Sequence, residues 1–152
     1  LEVAKALGAD VTVDISQEDP LARVQQATNG RGVDVVIDCT VGAGPEPVLL
    51  GIEATKRRAG TMVVQGEGNQ KFPDFPIGRL TRKGMTLKSA RGHSYRSVEM
   101  ALQLLGTKRF PLDLITTHRF GLNEVDYAIK SVGGHGAPGA IHVSVMPWSM
   151  TT

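Results

Sequence analysis

Three runs of aliphatic residues with little polar alternation organise this chain: Val33–Thr40 (VDVVIDCT), Thr61–Gly68 (TMVVQGEG) and Met85–Gly92 (MTLKSARG). Strict alternation marks a strand with one wet face, whereas continuous apolar runs suit strands covered on both faces, as in a parallel sheet. Each run ends in a glycine or small polar residue before a helix-like or loop segment. Ligands collect at the carboxyl ends of such strands, so these turns are the first candidates for function.

The intervening pattern is helical. Leu1–Gly8 (LEVAKALG) reads as the end of an amphipathic helix stopped by Gly8. With no N-cap, no preceding strand and no initiator methionine, it is expected to begin partway through a helix of a longer protein. Val11–Ile15 is a short predicted strand. Asp19-Pro20 pairs a capping side chain with a proline at the first helical position, predicting a helix to about Thr28. A second helix is predicted from Glu46 to Arg58, with strands Val33–Cys39 and Thr61–Gln65 on either side of it. A short basic helix, Ile77–Lys83, should stop at Gly84 and lead into strand Met85–Arg91. Strands alternating with helices in this way indicate β-α-β units.

From His93 the pattern changes. Ser94 opens a helix to about Thr107, with Val98, Ala101, Leu102 and Leu105 on one face. Leu114–Phe120 follows, then a helix from Asn123 to Val132, a Gly133–Gly139 loop and a closing strand Ala140–Met146.

Composition narrows the function classes. The 152 residues carry 17 Lys and Arg against 15 Asp and Glu, a net charge of +2, which makes no case for bulk attraction to nucleic acid or membrane. No apolar run approaches the roughly 20 residues that cross a bilayer. The basic positions Arg79, Arg82, Lys83, Lys88 and Arg91 lack interleaved aromatics and read as a solvated face. A single cysteine, Cys39, excludes an internal disulfide framework and fits a cytoplasmic location. His93, His118, His135 and His142 lack the i, i+4 spacing of a helical zinc pair, so no metal ligand is expected within the chain.

The order AKALGAD, GRGVDVVIDCTVG, RRAGTMVVQG, GRLTRKGMTLKSARG, ITTHRFGLNEVDYAI and GAIHVSV resembles the medium-chain dehydrogenase/reductase family. Within it, the chain is similar to zinc-dependent alcohol dehydrogenases of the sorbitol and threonine dehydrogenase type, over their C-terminal part. The resemblance implies an α/β fold: a partial Rossmann-like, doubly wound parallel sheet without its first two strands, plus a tail returning to the catalytic domain. Residues 1–92 would be the later part of the dinucleotide-binding domain and 93–152 the returning segment. It implies an oxidoreductase moving a hydride between a small alcohol or polyol and NAD or NADP, with zinc held by residues outside this chain. A zinc-free quinone or enoyl reductase, and a nucleotide-binding or assembly module without turnover, are the alternatives. No G-x-G-x-x-G follows any strand, and the chain alone is expected to be inactive.

The same resemblance assigns cofactor contacts and no catalytic residue. Thr40 and Val41 would lie beside the adenosine and ribose, with Thr40 offering a hydroxyl. Gln65, Gly66 and Glu67 would place backbone donor and acceptor groups against the nicotinamide carboxamide, and a Gly66→Val change should obstruct the cofactor with the fold retained. Ala90, Arg91 and Gly92 would meet the same end of the ligand. His142 stands where the family usually has Lys or Arg near the pyrophosphate. Asp38 reads as a turn residue. A homo-oligomer is expected, because the sheet would otherwise leave an apolar edge open.

Overall fold

The computed structural model describes residues 1–66 and 71–148. They divide into two compact units, Val13–Ser94 on one hand and Leu1–Thr12 with Tyr95–Thr152 on the other.

The Val13–Ser94 unit is built on three parallel strands, β1 (Val35–Asp38), β2 (Thr61–Val64) and β3 (Thr86–Ser89), lying side by side in that order. Their registers run from Val35↔Thr61 and Thr61↔Thr86 to Asp38↔Val64 and Val64↔Ser89. The three carboxyl ends are therefore level. Helix α1 (Glu2–Ala6) belongs to the other unit, and here α2 (Pro20–Ala27) precedes β1, α3 (Glu46–Ala54) connects β1 to β2, and α4 (Ile77–Lys83) connects β2 to β3. This is the α/β parallel architecture that the sequence pattern implied.

Local signals explain the helix boundaries. Asp19 caps α2, its carboxylate accepting from the Leu21 N–H at 2.8 Å while Pro20 fills the first position. Gly84 closes α4 in the left-handed region at φ 56°, donating to the Thr81 carbonyl. Helix α3 stops at Ala54, short of the expected Arg58. There Thr55 turns to extended backbone and bridges to Val33, whose N–H donates to the Ala54 carbonyl and whose carbonyl accepts from Lys56. A pairing with a distant segment ends the helix.

The core lies on one face of the sheet. Ile52 and Met62 are fully buried, Val48 and Leu80 nearly so, and Val36, Val64, Phe72, Phe75 and Met85 pack around them. Each full burial stabilises by about 1.5–3 kcal/mol. The expectation of cover on both faces is corrected for β1, where Val35 and Ile37 are 55% and 59% exposed. Strand β3 is exposed along its whole length. Val11–Ile15 is also corrected: it forms no strand. Instead Asp14 closes a local turn on Ser16, taking both its N–H and its hydroxyl. The outer edge of β1 consequently has no strand neighbour among the described residues.

The other unit holds α1, α5 (Tyr95–Gly106), β4 (Thr116–Phe120), α6 (Val125–Val132) and β5 (His142–Val145). Strands β4 and β5 pair in parallel, with a register slip between Thr116 and His118. Ala128 and Ser131 of α6 are buried, and the Tyr127 ring meets Phe120 edge-on at 5.6 Å. On α5, Val98, Leu102 and Leu105 remain exposed. No helix of the described residues is long and apolar enough to cross a membrane.

Candidate functional site

The level register of β1, β2 and β3 brings the residues after Asp38, Val64 and Ser89 to one end of the sheet. Asp38 is buried there, and its Oδ1 accepts from the Thr40 N–H at 2.9 Å and the Thr40 hydroxyl at 2.7 Å. This is the turn hydrogen bonding expected of an Asp-x-Thr sequence. It commits the Thr40 hydroxyl proton, leaving the oxygen able to accept. Val41 follows, well exposed.

Strand β2 is tied to the same turn through its backbone. The Gln65 and Gly66 N–H groups both donate to the Asp38 carbonyl, at 2.8 and 3.0 Å. The Ala90 N–H donates to the Val64 carbonyl at 3.0 Å. Three backbone donors that the sequence reading offered to a ligand are therefore spent within the sheet end. Gly66 is also explained differently. A side-chain carbon there would overlap the Thr40 carbonyl, so two strand ends approach too closely for any larger residue. The expectation that Gly66→Val leaves the fold intact is corrected on this ground. Nothing in the sequence alone signalled that contact, because its partner lies in the turn after another strand.

Beyond Ala90, Arg91 leads to Gly92 in the left-handed region at φ 65°. The structure thus gathers Thr40, Gln65, Gly66 and Ala90 at one end, with Arg91 and Gly92 continuing from it. Glu67 lies outside the described residues. His142 is in the other unit, where it opens β5 with its Nδ1 3.3 Å from the Thr116 hydroxyl. An open groove of about 360 Å³ runs along the outer edge of β1, lined among others by Val35, Ile37, Cys39, Thr40, Pro47 and Leu50. Among the described residues no group of three His, Cys, Asp or Glu is placed to hold a metal.

Residues 1–107 match the profile of the family described as zinc-binding dehydrogenase. The chain belongs to that family. Among its curated relatives, a sorbitol dehydrogenase of Halalkalibacterium halodurans is 30% identical over 134 residues, covering 86% of this chain and 38% of the relative. A probable alcohol dehydrogenase of Mycobacterium tuberculosis is 34% identical over 151 residues, 97% of this chain and 40% of the relative. Among solved structures, an alcohol dehydrogenase of Thermus sp. ATN1 superposes with a TM-score of 0.79 at 26% identity, covering 96% of this chain and 41% of that one. An alcohol dehydrogenase from Thermotoga maritima shares the fold, with a TM-score of 0.82 at 22% identity over 93% of this chain and 39% of that one. The chain thus spans about two fifths of the length of these relatives. The described residues do not form the family's zinc site. The level strand ends, open beside β1, do fit a dinucleotide, which such sheets bind at their carboxyl ends.

Proposed function

We propose that this chain forms the nicotinamide wall and part of the adenosine rim of an oxidoreductase acting on an alcohol or polyol, with NAD or NADP as partner. The observation that carries the reading is the common register of the three strands in a chain of the zinc-binding dehydrogenase family. When bound, the cofactor supplies the hydride acceptor or donor, and the residues here orient it.

A carboxamide needs one acceptor and one donor. With the Gln65, Gly66 and Ala90 N–H groups already engaged, these residues serve through their carbonyl oxygens. The donor comes from the Gly92 N–H, where a glycine lets the ring approach the backbone. Thr40 accepts a hydrogen bond from a ribose hydroxyl beside Val41, while its own proton stays on Asp38. The same reading includes a cytoplasmic enzyme and self-association through the unpaired edge of β1.

Titration of the protein with NADH, followed by amide chemical shifts, tests the assignment. Shifts should concentrate at Thr40, Gln65, Gly66, Ala90 and Gly92. An undisturbed carboxyl end at saturating NADH would remove the proposal.

A further inference from the structure

The opposite end of the same sheet holds a second constellation. Where α3 and α4 finish and β2 begins, Glu53, Arg57, Arg79, Arg82 and Lys83 line an open cleft of about 380 Å³. Four cations face one carboxylate. A neighbouring cleft of about 560 Å³ shares Glu53, Arg57 and Lys83 and adds Arg31.

Helix C-termini attract cations, and that accounts for part of the cluster. The Lys83 ammonium donates to the carbonyls of Ile52, Glu53 and Thr55 at 2.5, 2.7 and 2.7 Å, closing the end of α3. All three of its protons are used. Arg79 pairs with Glu53. Arg57 and Arg82, both exposed, have no ion-pair partner among the described residues and are left over from the capping.

The turn that carries Arg57 is rigidly placed. Arg58 and Ala59 both lie in the left-handed region, at φ 63° and 59°, where non-glycine residues are strained. Their N–H groups donate to the carbonyls of Lys83 and Gly84 at 2.6 and 3.1 Å, pinning the turn to the end of α4. Burial, followed by the charges of Arg57 and Arg79, lowers the Lys83 pKa below its usual 10.5. Positive charge is crowded here and incompletely offset.

We infer that this cleft binds a diphosphate group. Planar guanidinium forks match phosphate oxygens in pairs, and Arg57 and Arg82 are free to offer them. The volume lies in the range of small-ligand sites. The cleft lining contains no aromatic ring to stack on a base or sugar, so recognition stops at the phosphates. The negative ends of α3 and α4 oppose any anion, and two guanidinium forks on one cleft, Arg57 and Arg82, favour a group with two phosphates over a single phosphate.

Calorimetric titration of inorganic pyrophosphate into the 152-residue chain should give a saturable one-to-one isotherm. Arg57→Gln and Arg82→Gln should each weaken binding by about tenfold, the worth of one charge-assisted hydrogen bond. Arg109→Gln, in the other unit, should leave it unchanged. Amide shifts should map to residues 57–59 and 82–84 and spare Gln65 and Ala90, which separates this site from the proposed cofactor wall. Methyl diphosphate distinguishes the source: equal binding assigns the site to a diphosphate carried on a larger molecule, and its exclusion to free pyrophosphate. Failure to saturate, or an Arg109→Gln loss equal to that of Arg82→Gln, overturns the inference.

Discussion

At the carboxyl end of the three-stranded sheet, backbone meets backbone: the Asp38 carbonyl takes two amide protons from β2's continuation, and Gly66 slides against the Thr40 carbonyl. At the amino end, side-chain charge meets backbone: one ammonium closes a helix and arginines crowd around it. The first end depends on shape, so it tolerates no added atoms. The second depends on long, exposed cations, so it tolerates changes of shape but responds to charge.

The largest effect that tests this contrast is expected from Gly66→Val. Forcing a branched side chain against the Thr40 carbonyl should cost about 3 kcal/mol or more, read as a lowered urea midpoint. A midpoint equal to that of the parent chain would show that the strand ends can separate freely, and the contrast would fail at its first end.

Lys83→Met comes next. Removing the ammonium leaves the Ile52, Glu53 and Thr55 carbonyls without their donor, at a cost of about 1.5–3 kcal/mol. The same urea experiment measures it, with Lys88→Met, on exposed β3, as a comparison expected to change little.

Thr40→Val should be milder, about 1 kcal/mol, since Asp38 keeps its bond from the residue 40 N–H and loses only the hydroxyl. An unchanged denaturation curve would mean the hydroxyl bond has no net worth, and would leave Thr40 open to a purely ligand-directed role.

The smallest effect is in pH dependence. Lys83 has a lowered folded pKa, so between that value and 10.5 the unfolded chain binds more protons than the folded one. Unfolding free energy should therefore rise with pH across that interval and stay flat with respect to this group below it. The rise should vanish in Lys83→Met. A fall in stability over the same interval would contradict the burial of this ammonium among like charges.

How much of this was legible beforehand depends on whether the cause was local. Asp19-Pro20 and Lys83-Gly84 carry their own start and stop signals, and α2 and α4 fall where those signals put them. The β-branched and aliphatic runs disclosed three parallel strands by their residue types, although of the three only β2 has no exposed residue. The end of α3 was not legible, since Val33 captures Thr55 across the fold. Nor was the duty of Gly66, whose neighbour Thr40 comes from the turn after β1. Val11–Ile15 has strand-like residues, yet Asp14 finds its partner two residues away in Ser16 and the segment turns instead. Arg79 and Arg82 are exposed, as a solvated face requires, but that Arg57 joins them at one cleft was not legible, because it belongs to a separate turn.

Strand β2 is the only one of the three bonded on both sides, and Met62 within it is fully buried. An opening that exposes its amides must break two ladders at once, whereas β1 or β3 can peel away by breaking one. Solvent deuterium should therefore reach the flanking strands first and the amides of Met62 and Val63 last, which makes the middle of this sheet the clock against which every looser part of the molecule is timed.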